Sequence, residues 1–131
     1  MSFNVGINGF GRIGKSIVRI IEESSNSNIR IRAIKDFNNT NVSNEEYIKN
    51  MAYLLQNDSI YGKFPGKVDS DGKNLILSSH KIPVFLDEDI KSVDWNDLGC
   101  DLLIESSGTI SNINSVKDCL GDKVKKIIIT R

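Results

Sequence analysis

Three glycines in the stretch Gly9-Phe10-Gly11-Arg12-Ile13-Gly14, with an aspartate 22 positions after the last of them, are the residues of this chain best placed to do chemistry. The spacing G-x-G-x-x-G gives each glycine its own task. Gly9 permits a tight turn, Gly11 lets a pyrophosphate approach the backbone, and Gly14 lets a helix lie close to a sheet. A helix opening at such a turn offers unpaired N–H groups and roughly half a positive charge to an anion. The aspartate, Asp36, is the acceptor expected for the 2′-hydroxyl of an adenosine ribose, and its charge would repel a 2′-phosphate. The pattern predicts a dinucleotide site that favours NAD over NADP. Lys35, beside Asp36, is a cation that works against this discrimination.

The remaining reactive residues form no comparable pattern. Glu22 and Glu23, like Glu45 and Glu46, are adjacent on helices and are expected to face solvent. His80, the single histidine, follows two serines between strands and reads as a surface residue. Cys100 and Cys119 fit no CxxC or Cys/His spacing, so they read as packing residues rather than nucleophiles or metal ligands. Glu105 ends a buried strand near the expected cofactor crevice and reads as a carboxylate that accepts loop N–H groups. No catalytic residue and no metal site is assigned.

The elements that must position the glycine turn follow from hydrophobic period. Phe3, Val5 and Ile7 alternate with Asn4, Gly6 and Asn8, a first strand on which Gly6 is expected to relieve crowding. Ile13, Ile17, Ile20 and Ile21 fall on one face of a helix that should end near the polar cluster at 24–28. Residues 29–34 then alternate at period two, completing a βαβ unit with a right-handed crossover. After a loop at 37–44, Ser43 and Glu46 have capping-box spacing and open a helix with the expected stripe Tyr47, Met51, Leu54 and Leu55. Short extended pieces between 59 and 86, with a turn at Asp71-Gly72, predict an antiparallel hairpin excursion around residues 66–86. A buried strand at 102–105, a helix around 114–120 and a last strand in KKIIIT complete the expected pattern. The fold class is α/β: a Rossmann-type, mostly parallel sheet with helices on both faces. A single domain over 1–131 is expected.

Composition narrows the function classes. Seventeen basic residues cancel seventeen acidic ones, and the basic residues are scattered, so neither nucleic acid nor a membrane surface is an expected partner. The N-terminus lacks the cationic and apolar regions of a secretory signal, and unpaired cysteines suit a reducing cytoplasm.

VGINGFGRIGK, residues 5–15, closely resembles the opening of phosphorylating glyceraldehyde-3-phosphate dehydrogenases, close to INGFGRIGR. The similarity continues through AIKD (33–36), YLLQNDSIYGKF (53–64), DWND (94–97), IESSG (104–108) and KKIIIT (125–130), and so covers almost the whole chain. The resemblance implies the NAD-binding half of a tetrameric enzyme that oxidises glyceraldehyde 3-phosphate with inorganic phosphate to 1,3-bisphosphoglycerate. It implies that Asn8, Gly9, Phe10, Gly11, Arg12 and Ile13 line the pyrophosphate and adjacent sugar, that Asp36 holds the adenosine ribose, and that Ser107, Gly108 and Thr130 border the nicotinamide. The family's catalytic cysteine lies in an SCTTNC-like motif that this sequence does not contain, and its paired histidine is also missing. A fragment that binds NAD without catalysing the reaction, with exposed apolar surface and a tendency to self-associate, is therefore expected. A naturally short NAD-binding protein and the same half of an erythrose-4-phosphate dehydrogenase are the alternatives. The sequence departs from the family pattern in a longer loop at 37–44, in Lys35 for asparagine, in Glu88 for a basic residue near the adenine, in Tyr61 for histidine, and in Arg131 for a small residue.

Overall fold

The computed structural model describes residues 3–24, 28–58, 62–64, 66–77 and 80–130. Among the sequence expectations, those on the centre of the polar cluster (25–27), on Tyr61 and on Arg131 lie outside the described residues. Five strands form the parallel core of the sheet. They are β1 (Phe3–Asn8), β2 (Ile29–Lys35), β7 (Lys81–Phe85), β8 (Leu102–Glu105) and β9 (Lys126–Ile129), in spatial order β7-β2-β1-β8-β9. Between β2 and β7 the chain makes the expected antiparallel excursion: β5 (Asp69–Ser70) pairs with β6 (Asn74–Ile76), and β6 with β7. Asp71 holds the tight turn between β5 and β6 by accepting the N–H groups of Lys73 (3.1 Å) and Asn74 (2.9 Å). A separate small ribbon pairs β3 (Asn57–Asp58) with β4 (Gly62–Lys63).

Strands flanked on both sides must be apolar on both faces. Val5 and Ile7 of β1 face one apolar cluster with α1 (Arg12–Glu23) and α2 (Asn44–Gln56). Ala33 of β2 and Leu103 of β8 belong to a second cluster on the other face, around Trp95, Val116 and Val124. Gly6 sits between the two requirements, since a Cβ there would lie 2.5 Å from the Trp95 ring. The buried indole in turn donates from Nε1 to the Ile90 carbonyl at 3.0 Å. The expected α/β sheet with helical layers on both faces is thus present.

The helical phases differ from those read in sequence. In α1 the inward residues are Gly14, Ile17, Val18 and Ile21, whereas Ile13 is 37% and Ile20 67% exposed. Gly14 sets this phase, because its missing side chain lets the helix touch the Gly9 carbonyl. Positions 17, 18 and 21 follow Gly14 inward, and 13 and 20 turn away. Arg19 is buried too, donating to the Leu55 carbonyl (3.4 Å), pairing with Glu23 (3.3 Å) and lying 5.7 Å over the Phe64 ring. In α2 the inward set is Ile48, Met51, Ala52 and Leu55, and Leu54 faces out. Ser43 caps this helix as expected, accepting the Glu46 N–H at 3.1 Å. The helix expected around 114–120 begins earlier, as α3 (Ile110–Ser115), and tightens into a 3-10 turn over Val116–Cys119. Its inward face is Asn112, Val116 and Cys119. A polar first member hid that face from a search for apolar period. Glu22 and His80 are not solvent residues: their side chains are 12% and 13% exposed and meet at 3.0 Å. Burial raises the Glu22 pKa, against the pull of the adjacent His80.

Candidate functional site

Counting outward from β1, the chain runs to β2 and β7 in one direction and to β8 and β9 in the other. Connections that diverge in this way leave a crevice outside the carboxyl ends of the central strands, where open α/β sheets bind ligands. A crevice of about 430 Å³ lies there, with Asn8 at the end of β1 and Lys35 at the end of β2 among its walls.

The glycine turn forms one wall of the crevice. Gly9 has φ +102°, a conformation that disfavours any side chain, and a Cβ there would lie 2.6 Å from the Ser107 nitrogen. Its N–H donates to the Lys35 carbonyl at 2.7 Å, tying the turn to β2. A Cβ on Gly11 would meet nothing within 4 Å, so the protein's own packing does not demand this glycine. That open space suits an incoming phosphate. Gly11 caps α1, no side chain satisfies the exposed helix end, and no acidic residue occupies the first turn. The residues present therefore fit a pyrophosphate.

Asp36 forms the opposite wall. Its Oδ1 accepts the Phe10 N–H at 3.3 Å and its Oδ2 accepts the Tyr47 hydroxyl at 2.7 Å. An ionised carboxylate has about four acceptor positions, so each oxygen keeps capacity for a ligand. Lys35 extends into the same crevice and donates to the Glu88 carbonyl at 3.1 Å. Burial lowers its pKa, an effect opposed by the charges of Asp36, Asp87, Asp89 and Glu105.

On the β8 side, Ser107 accepts at Oγ from the Thr109 N–H (3.2 Å) and from Asn112 Nδ2 (3.3 Å). Glu105 is fully buried, and its Oε1 accepts Asn8 Nδ2 at 2.8 Å and the Ser107 N–H at 3.1 Å. It thereby locks the ends of β1 and β8 together, in the role expected of it.

The crevice brings together Asn8, Gly9, Phe10, Gly11, Asp36 and Ser107. Arg12 and Ile13 lie on the exposed first turn of α1, and Gly108 is exposed one residue past Ser107. Thr130 follows β9, two strands from β1, and donates its N–H to the Glu105 carbonyl at 2.9 Å. These four are not among the residues lining the crevice. Sequence reasoning missed Tyr47, Ser106, Thr109 and Asn112 as wall residues. Ser106 donates its hydroxyl toward the carbonyls of Asn8 and Gly9, both at 3.0 Å, and braces the turn. Tyr47 fits an apolar stripe in the sequence, and nothing in its spacing marks the phenol as a partner for Asp36.

The thiols stand apart from this crevice. Cys100 and Cys119 are free and buried, and burial pushes them up to about 12 and about 11 respectively. Among the described residues no His/Cys/Asp/Glu cluster could hold a metal, and no helix is long and apolar enough to cross a membrane.

Comparison with known proteins identifies the family of the chain. Residues 3–113 match the family model described as the glyceraldehyde 3-phosphate dehydrogenase, NAD binding domain. The chain is 42% identical over 126 residues to glyceraldehyde-3-phosphate dehydrogenase of Thermotoga maritima, covering 96% of this chain and 35% of that protein. It is 37% identical over 130 residues to the enzyme of Ogataea parapolymorpha, covering 99% of this chain and 36% of the relative. With glyceraldehyde-3-phosphate dehydrogenase 1 of Kluyveromyces marxianus it shares 35% over 127 residues, 97% of this chain and 36% of the relative. The chain thus spans about a third of the length of these curated relatives. By sequence, it belongs to the glyceraldehyde 3-phosphate dehydrogenase family and corresponds to that family's NAD-binding domain.

Proposed function

We propose that the 131 residues act as the cofactor-holding half of a phosphorylating glyceraldehyde-3-phosphate dehydrogenase. The whole enzyme would convert glyceraldehyde 3-phosphate and phosphate to 1,3-bisphosphoglycerate, as a cytoplasmic homotetramer. When bound, NAD supplies the hydride acceptor of that reaction. The chain's own residues bind and orient it. Backbone N–H groups of the turn Gly9-Phe10-Gly11 and of Arg12 and Ile13 receive the pyrophosphate, and Asn8 flanks it. Asp36 accepts the adenosine ribose hydroxyls, while Ser107, Gly108 and Thr130 border the nicotinamide end.

The observation that carries this reading is the meeting of Gly11's open approach with the Asp36 carboxylate in one crevice at the divergence of the sheet. Bound this way, NAD is preferred to NADP, because a 2′-phosphate would face an ionised carboxylate. The 131 residues alone have no dehydrogenase activity, since the two thiols are buried and held protonated away from the crevice. Calorimetric titration of the chain with NAD and with NADP tests the proposal: saturable heat with NAD and weaker binding of NADP are expected. No detectable heat at millimolar NAD would overturn it.

A further inference from the structure

The loop at 37–43 is built rather than slack. Asn38 Nδ2 donates to the Val42 carbonyl (3.0 Å) and to Asn44 Oδ1 (2.9 Å), and Asn38 Oδ1 accepts the Thr40 N–H (3.1 Å) and the Thr40 hydroxyl. The loop delivers the capped first turn of α2 to the crevice mouth. There Tyr47 donates its hydroxyl to Asp36 Oδ2 at 2.7 Å, with the Phe37 carbonyl as a longer alternative at 3.3 Å.

A phenol has one proton, and both of these acceptors belong to the protein. Toward the crevice, then, Tyr47 and Asp36 together present acceptors only: the phenolic oxygen and the unused positions of two carboxylate oxygens. Burial, followed by the bond to Asp36 and its charge, raises the Tyr47 pKa, so the proton stays on the phenol at neutral pH. We infer that Tyr47 is a specificity-determining residue of the cofactor site, forming with Asp36 an acceptor-only pair that recognises the 2′-hydroxyl of an adenosine ribose and rejects a 2′-phosphate.

This inference rests on the proposed NAD reading and adds a second reader of the ribose to it. A ribose diol brings two donors and matches the pair. A phosphate brings only acceptors and a charge approaching −2, and the pair offers no proton to meet it. Lys35 is the countervailing group, but its resolved hydrogen bond runs to the Glu88 carbonyl.

The test is a cycle of Tyr47→Phe against removal of the ligand's 2′-hydroxyl, read by calorimetry on the 131-residue chain with NAD, 2′-deoxy-NAD and NADP. Losing one hydrogen bond in a charged cluster should weaken NAD about tenfold. Binding of 2′-deoxy-NAD should change by less than about twofold, and the preference for NAD over NADP should narrow by the same factor of about ten. Equal weakening of NAD and 2′-deoxy-NAD would reduce Tyr47 to a structural role and overturn the inference, as would an unchanged NAD affinity. If NAD fails to bind the wild-type chain, the proposed function itself falls. If NAD binds but ignores Tyr47→Phe, only this inference falls. Should Tyr47→Phe not fold, the wild-type chain decides: NADP binding as tightly as NAD, or 2′-deoxy-NAD equalling NAD, overturns the pair.

Discussion

Individual side chains in this molecule are tuned by where the sheet buries them, and the two cysteines show it most simply. Cys100 is fully buried beside Gly6, and burial raises its thiol to about 12, Asp101 adding to the shift and Arg32 opposing it. Cys119 is raised to about 11, again by burial first. An unfolded thiol titrates near its ordinary value of 9.0. Between pH 9 and about 11–12 the unfolded chain therefore loses protons that the folded chain retains. Stability from these groups is fully present below pH 9 and is lost as pH rises through the folded values. The urea midpoint should fall above pH 9, and Cys100→Ala should flatten that fall. An identical alkaline slope in the variant would sink the assignment. Native chain at pH 8 should also resist iodoacetamide that alkylates it rapidly in urea. The sequence could say that these thiols had no catalytic neighbour. It could not say how far burial would raise them, because burial belongs to the assembled layers.

Elements are held in place by a few polar side chains whose importance spacing does not reveal. Gln56, the last residue of α2, donates from Nε2 to the carbonyls of Phe64 (3.0 Å) and Gly66 (2.6 Å), and its Oε1 accepts the Val68 N–H at 2.6 Å. One side chain thus satisfies three backbone groups on the segment after the β3–β4 ribbon. Asn96 acts likewise, donating to the Cys119 carbonyl (2.9 Å) and accepting the N–H groups of Lys123 (3.0 Å) and Val124 (2.9 Å) ahead of β9. The five parallel strands, the turn at Asp71-Gly72, the Ser43 cap and the central βαβ unit were legible, since each depends on local period or local turn chemistry, whereas the β3–β4 ribbon was not. The phases of α1 and α2 were not, because Gly14 against Gly9 and Tyr47 against Asp36 are tertiary contacts. Replacing Gln56 by alanine strands a partly buried carbonyl and amide set, and should cost about 2–3 kcal/mol of folding stability. Amide exchange should accelerate selectively over 62–68, where the released groups lie. A loss below about 0.5 kcal/mol, or exchange raised evenly across the sheet, would refute the bracket.

At the scale of the whole molecule the two edges of the sheet are unequal, and the inequality sets how copies should meet. One edge is β5, two residues long, with Asp69 in it paired to Lys67 at 3.6 Å. Short, charged edges resist further pairing. The other edge is β9, four residues, whose Ile128 and Ile129 remain 48% and 45% exposed while Ile127 packs on the second apolar cluster. An apolar strand with an unpaired ladder on one side is a template for another strand. The apolar run in KKIIIT marks this segment as a strand, but the segment alone could not show that the strand would be terminal in the sheet. The 131-residue chain should therefore associate through β9, with a light-scattering mass that rises above the 14.6 kDa of one copy as concentration increases. Ile128→Lys places a charge on the exposed face of that edge without touching the core, so the variant should keep its melting temperature within a few degrees and stay monomeric at about tenfold higher concentration. A wild-type chain that is strictly monomeric at about 1 mM, or a variant that associates as readily as its parent, would mean that β9 is not the surface on which copies meet.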